Sequence, residues 1–449
     1  MDWPMGDAAW TSYDLRNFNF QSRTTIALRK LDSNPASVLM KDVLLDKNDW
    51  EIWFDEAPSA SSWENALCIV LCSRAPPVFD GEDAPVSYLS VTRGTWERLA
   101  REFHIHRSIM RTIARRVAFF SSSYEDDGRP SKVKIGFTAR MSAYLPSDLA
   151  LSITYIPSTE STFAVMYGCN EQQMREVEKR ARVAGDRLKY PLLLLGIFAE
   201  LERDRLVAKA DQLLDGFTIR SEHLENGLWD PTREMNNEKT QEYLAICLQS
   251  RSLVDHIRAV KRQLLKLTVE IDEFGNYFSS HKSEAHPADG KKARRFKKAG
   301  VQMKKRVQDI INEYEDKIDE CNMIVGNTTL AMQTVWNQIA RTDSDLNTRI
   351  AQANTTIALE TKRESTQMRS IALLTMVYLP FSSVAAIFSM DLFDWGAQDG
   401  ESVVSKYIWV FAVFAVGLTL ITIFAWYRIT YRRTRAAEKD PFEQQCKMV

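Results

Sequence analysis

The chain is short of the features that announce most chemistries. It carries almost no net charge: 58 Lys and Arg stand against 59 Asp and Glu in 449 residues. Wholesale nucleic-acid binding is therefore not expected, and only local charge asymmetry informs. Cysteine is sparse. Its six copies, at positions 68, 72, 169, 247, 321 and 446, form no pair of pairs with zinc spacing, and the chain is too long for a disulfide scaffold. Cys68 and Cys72, in "ALCIVLCS", belong on one face of a strand as buried thiols. No Ser-His-Asp, Cys-His or Walker-type arrangement stands in a fitting context, which argues against an enzyme. His104 and His106 in "FHIHRS" have no carboxylate cluster beside them and read as packing or surface residues. The first ten residues lack the basic and apolar regions of a secretory signal. Residues 15–30, without acids and with Arg16, Arg23, Arg29 and Lys30, give a single hint of a transit sequence. The terminal "CKMV" has Lys447 where a prenylation box needs an aliphatic residue.

What the chain does have is two long uncharged runs. "SIALLTMVYLPFSSVAAIFSM" (370–390) and "YIWVFAVFAVGLTLITIFAWY" (407–427) are each long enough to cross a hydrocarbon core of roughly 30 Å. Trp409, Trp426 and Tyr427 lie near the ends of the second, where interfacial aromatics are favoured. Lys362, Arg363 and Arg369 precede the first run, and Arg428, Arg432, Arg433, Arg435 and Lys439 follow the second. The loop between has Lys406 as its one base and carries Asp391, Asp394, Asp399 and Glu401. By the positive-inside rule both termini face the cytoplasm and the acidic loop faces out. The expected setting is an integral multi-pass protein of a lipid bilayer, in the plasma membrane before an organelle membrane.

Upstream, residues 1–36 show no clear periodicity and read as a weakly ordered lead. From residue 37 to 235 a cytoplasmic α/β domain is expected. Its strands are predicted in "SVLMKDVLL", "DWEIWF", "NALCIVLC", "VSYLSV" and "LALSITYIP". "TWERLAREF" and "SIMRTIARRVAFF" have the three- and four-residue apolar steps of helices. "EQQMREVEKRARVAGD" opens a helical stretch, and "LLLLGIF" is too short to span and reads as a buried helix start. Residues 236–369 form a long-helix region and stalk. A helix over 239–273 is followed by a hinge in "FGNYFSSHKSEAHPADG" and a helix over 291–323 that breaks near Gly326-Asn327. The basic stretch "KKARRFKKAGVQMKKR" (291–306) reads mainly as a solvated face, with anionic lipid or a nucleotide ahead of nucleic acid as partner. The last helix has a seam: Val335, Ile339, Thr342, Leu346, Ile350, Ala353 and Ile357 recur at alternating four- and three-residue steps, the spacing of a coiled coil. The segments then run as 370–390 transmembrane, 391–406 acidic and extracytoplasmic, 407–427 transmembrane and 428–449 a basic cytoplasmic tail. The expected fold class is an α+β cytoplasmic domain with a long helical stalk and two carboxy-terminal transmembrane α-helices.

This organisation, with "TMVYLPFSSVAAIFSMDLF" and its Pro380, resembles the CorA-like superfamily of divalent-cation (Mg²⁺) transporters. "SITYIPS" and "PLLLLGIFAELERDRL" look like its divergent branch in filamentous fungi. The family signature Gly-Met-Asn at the outer end of the first span is matched here by Ser389-Met390-Asp391 after Phe388. The resemblance implies a homopentamer with the first spans lining a pore, a cation entrance ring at Ser389, Met390 and Asp391, with Asp391 as the metal ligand, and pore-lining positions at Ser382, Leu379, Ile371 and Met368. Leu379, Ile371 and Met368 would be constrictions that gate by dewetting. Asp394, Asp399 and Glu401 would act as a diffuse attractor for cations.

The departure matters chemically. Mg²⁺ sheds its waters reluctantly, so a ring of amides can hold it through its hydration shell. Five carboxylates attract any divalent ion more strongly and repel one another when empty, so their titration belongs to the ring. Mn²⁺, Co²⁺ or Zn²⁺ then become cargo alongside Mg²⁺. The expected function is a divalent-cation channel or transporter, with the ion as cargo and no resident cofactor. The alternative is a membrane-anchored scaffold or sensor that kept the architecture and lost conduction.

Overall fold

The computed structural model describes residues 15–16, 18–30, 39–56, 65–77, 83–125, 133–225, 237–280, 287–388 and 408–437. The chain divides into two compact units, residues 1–335 and 336–449.

The first unit is built on a mixed sheet. Its strands are β2 (Thr25–Lys30), β3 (Met40–Leu44), β4 (Leu67–Ser73), β6 (Phe119–Glu125), β7 (Lys134–Arg140), β8 (Ala150–Ile156) and β9 (Ser161–Cys169), in the order β3-β2-β4-β9-β8-β7-β6. Only β4 and β9 at its centre run parallel; the other neighbours are antiparallel. Two short strands, β1 (Asn19–Phe20) and β5 (Tyr88–Leu89), pair with each other beside it. Residues 19–30, which have no clear periodicity in sequence, thus contain two strands. Ala27 and Leu28 of β2 are fully buried because this strand is covered on both faces, so the alternation that marks a half-exposed strand is absent.

The sheet separates two cores by the period of two along each strand. On β4, Leu67, Ile69 and Leu71 join one cluster and Cys68, Val70 and Cys72 the other. The thiols share a face and are buried, as the spacing predicts; burial raises both, Cys72 to about 12. One cluster is completed by α1 (Lys47–Glu56), α2 (Arg93–Glu102) and α3 (Ser108–Ile113). The other is completed by α4 (Glu171–Ala184), α5 (Leu193–Glu225), α6 (Asn237–Ser280) and the first part of α7 (Pro287–Phe388). The "LLLLGIF" run is a buried helix start: Leu192, Leu194 and Leu195 are within a few per cent of full burial.

Helix starts follow local chemistry. Asn170 caps α4, its Oδ1 accepting from the Gln173 amide at 2.8 Å while Gln173 Oε1 accepts from the Asn170 amide at 3.0 Å, a reciprocal capping box. The "DWEIWF" segment forms α1 and not the strand its aromatics suggest. Asp46 Oδ1 accepts from the amides of Asn48 and Asp49, and Asp49 Oδ2 from those of Leu45 and Asp46. Trp50, Trp53 and Phe54 then bury at helical spacing. "SIMRTIARRVAFF" is helical only to Ile113, and its end belongs to β6.

The hinge predicted after residue 273 is shorter than expected. α6 runs on to Ser280, held by an aromatic cluster in which Phe274, Phe278, Phe296, Tyr155 and Tyr190 approach at 4.9 to 6.4 Å between centroids. α7 also continues through Gly326-Asn327 without a break. A helical glycine costs about 1 kcal/mol against alanine, and burial of Ile318, Cys321 and Ile324 on the same face offsets it.

In the second unit α7 continues to Phe388, and α8 (Ile408–Ala437) follows. Both are long and apolar enough to cross a membrane. They touch through Phe381 and Phe411, whose rings meet edge-on at 5.9 Å, and Val384 and Ala415 are buried there.

Candidate functional site

The described pore-lining candidates sit on one stripe of α7. At about 100° per residue, Met368, Ile371, Leu379 and Ser382 fall within an arc of about 80°. Thr375 falls inside the same arc, as do Glu364 and Thr361 towards the amino terminus; none of these three was singled out by sequence. Lys362, Arg363 and Arg369 lie on other sides of the helix by the same count. The arc continues the seam of Ile350 and Ile357, so stalk and span share one stripe. Met368, Ile371 and Leu379 are 69, 62 and 62 % exposed in the single chain, a degree of apolar exposure that calls for lipid or further copies around them.

Hydroxyls on the stripe are satisfied by the helix itself. Thr375 Oγ1 donates to the Ile371 carbonyl at 2.9 Å and Ser382 Oγ to Leu379 at 3.1 Å; beside the stripe, Ser383 Oγ also donates to Leu379, at 2.7 Å. Within a bilayer such back-bonding removes the cost of a bare polar group and leaves the hydroxyl oxygen able to accept from water. Pro380 lies inside the helix and has no amide to donate. The carbonyl it leaves without an amide four residues on is that of Met376. The remaining candidates, Ser389, Met390, Asp391, Asp394, Asp399 and Glu401, lie outside the described residues.

Among the described residues no group of three or more His, Cys, Asp or Glu is placed to hold a metal ion. His104 and His106 are half-buried packing residues. His104 has φ +50°, so the two rings do not share an extended face. Burial, with Lys134 3.3 Å away, pushes His104 down to about 4. His106 Nδ1 lies 2.7 Å from Ser108 Oγ.

Sequence did not reveal a buried ion network at the end of the sheet. Asp148 takes Arg74 on one carboxylate oxygen and Arg140 on the other. Glu202 on α5 pairs with Arg205 and accepts from the Ser142 amide at 3.0 Å. Arg205 also donates to the carbonyls of Ser142 at 3.1 Å and Leu145 at 2.7 Å. Burial raises Glu202, with Arg205 acting against it. A cavity of about 40 Å³ between the sheet, α5 and α6 touches Arg140, Glu202 and Gln263, room for about one water and no substrate. The residues come from the segment just after β4, from β7, from α5 and from the 141–149 loop, a separation in sequence that no local spacing announces.

No protein-family model matches the chain, and no curated protein matches it. Solved structures do. The full-length CmaX protein matches at 10% identity over 91% of this chain and 99% of its own, with a TM-score of 0.40. The CorA magnesium transporter from Methanocaldococcus jannaschii matches at 10% identity over 90% and 97%, TM-score 0.36. The ZntB cytoplasmic domain from Vibrio parahaemolyticus matches at 12% identity over 70% and 100%, TM-score 0.35. The described residues form a mixed-sheet domain with long helices and two candidate membrane spans.

Proposed function

We propose that the chain is a divalent-cation channel or transporter of the CorA-like superfamily, acting as a homopentamer in a lipid bilayer. The observation that carries the reading is the single stripe of α7, which runs from Ile350 and Ile357 through Met368 and Ile371 to Thr375, Leu379 and Ser382. Two spans cannot enclose a pore alone, but a ring of such stripes can. Its bore would be apolar at Met368, Ile371 and Leu379, where water is expelled when the helices close, and hydroxylated at Thr375 and Ser382. Glu364 would stand on the inner side of the constriction and Asp391 at the outer mouth, with Asp394, Asp399 and Glu401 concentrating cations before it.

Basic residues flank both spans on one side, which supports cytoplasmic termini and an outward acidic loop. The proposed location is the plasma membrane, ahead of an organelle membrane. A potential negative inside contributes roughly 4.6 kcal/mol per divalent ion at about 100 mV, sufficient to drive entry without other fuel. The cargo is Mg²⁺ or a related divalent ion, with Asp391 favouring strong capture over Mg²⁺ selectivity.

Flux through reconstituted liposomes loaded with a divalent-sensitive dye tests the reading. Wild type should admit at least one of Mg²⁺, Mn²⁺, Co²⁺ and Zn²⁺ under a potential, and Asp391→Asn should shift selectivity towards Mg²⁺. Entry of none of the four refutes it. The replacement of Gly-Met-Asn by Ser389-Met390-Asp391 favours a second reading, a non-conducting scaffold or sensor, which predicts that null result.

A further inference from the structure

Past its first turn, which holds Asp289, α7 carries a run of bases whose like-charge spacings disfavour the helix. Between Lys291 and Arg306 there are nine bases and no acid. Arg294, Arg295, Lys297 and Lys298 are exposed, as is Lys305 two turns further on. The buried residues Phe296, Gly300, Met303 and Val307 fix the opposite face against the core. Arg294, Lys298 and Lys305 fall nearly in line along the outer side, over about 16 Å of helix. Arg294 with Lys297 and Lys298, and Arg295 with Lys298, are like-charged pairs at destabilising spacings.

Among the described residues, neighbouring carboxylates relieve this only at Lys304 and Arg306. Asp272 is taken by Lys304, Glu200 by Arg306, and Glu270 is buried against the Tyr124 hydroxyl. The next part of the same helix is built the other way: Glu313 pairs with Arg203, Glu315 with Lys261, and Lys317 with Asp211 and Glu320. Arg294, Arg295, Lys297, Lys298 and Lys305 make no ion pair among the described residues, and a row of like charges left so over several turns points to a functional surface.

We propose that the outer face of α7 from Arg294 to Lys305 binds a soluble oligophosphate. A linear row of bases suits a linear anion. The two guanidinium groups can each grip a phosphate with paired hydrogen bonds, while the three ammonium groups act as point charges. Among the described residues no exposed aromatic ring or glycine cradle accompanies the row, so the phosphate chain and not a base is recognised. The inference stands whether or not the chain conducts.

The test uses the full-length protein in detergent, free of divalent cations, with medium-chain inorganic polyphosphate as the probe. Thermal midpoint and equilibrium dialysis are read against chloride at equal ionic strength. A ligand that binds only the folded state raises the midpoint, so wild type should rise with polyphosphate. The variant carrying Arg294→Gln, Arg295→Gln, Lys297→Gln, Lys298→Gln and Lys305→Gln should unfold no earlier than wild type without ligand, because repulsion is removed. It should show no rise, and bind at least about tenfold more weakly as its phosphate contacts are lost. An unshifted wild type, or a variant that binds equally well, overturns the proposal. So does tighter binding of poly-glutamate, which would mean an acidic protein partner, or capture only by anionic phospholipid vesicles, which would mean a membrane surface.

Discussion

Gly168→Ala should destabilise the first unit by about 2–5 kcal/mol, a figure that follows from two separate penalties at one atom. Gly168 has φ +80° at the end of β9, a conformation that costs an L-residue roughly 1–2 kcal/mol. Its added Cβ would lie 3.0 Å from Val86 Cγ2, 3.3 Å from Val86 Cγ1 and 3.4 Å from the Asp148 carbonyl; overpacking of this kind typically costs about 1–3 kcal/mol. The glycine matters because the strand changes its alternation there. Phe163, Val165 and Tyr167 lie in one core and Ala164 and Met166 in the other, yet Cys169 joins Met166 and not Tyr167. The pairing with β4 shifts register at the same point, and the Gly168 carbonyl accepts from Arg74 Nε at 3.1 Å. Urea unfolding followed by tryptophan fluorescence reads this unit, since Trp50, Trp53 and Trp96 are buried in it. The predicted loss raises the unfolding constant by roughly thirty-fold to several thousand-fold at 1.36 kcal/mol per decade. Adding Val86→Ala should recover the overpacking share, so the double variant should be less destabilised than the two singles summed. A Gly168→Ala protein within about 0.5 kcal/mol of wild type, or strict additivity with Val86→Ala, would refute the reasoning.

Asp148→Asn leaves Arg74 and Arg140 without their shared counter-ion at a buried site and should cost about 3–5 kcal/mol in the same assay. His104 is held down to about 4, so the unfolded chain takes up the proton first as pH falls below 6.5. Stability should therefore drop between pH 6.5 and 4, by about 1–2 kcal/mol after discounting for its part exposure. His104→Asn, which tolerates the positive φ, should flatten that part of the pH curve. In the proposed pore, Leu379→Asn should raise resting divalent leak in the liposome assay about ten-fold, because a wettable side chain would replace an apolar constriction; unchanged leak removes Leu379 from the bore.

The two membrane-length helices, the buried start of α5 and the shared face of Cys68 and Cys72 were legible because each rests on composition or period within one segment. The central strands were harder. β9 is buried at every position from Ser161 to Cys169, and β7 nearly so, and a strand covered on both faces has no alternation to detect. α1 was misread because its aromatics favour a strand, while the Asp46 and Asp49 side chains that set its start act only once the turn has formed. The continuation of α7 through Gly326 depended on burial against other helices, which a local breaker signal ignores. At the candidate site the stripe of Met368, Ile371, Leu379 and Ser382 was read through family resemblance. Thr375 belongs to it by angle alone and has no family signature to draw notice.

The outermost strand of the sheet on one side is β6, and α6 lies along it. Gln263 Oε1 accepts from the Phe120 amide at 3.2 Å, and the Tyr124 hydroxyl donates to Glu270. Side chains of a helix thus occupy part of the rim where another strand would dock. An open rim invites backbone pairing with a second molecule, and here that invitation is withdrawn at Phe120. If copies of the chain gather in a membrane, crowding cannot readily recruit this rim into a growing sheet.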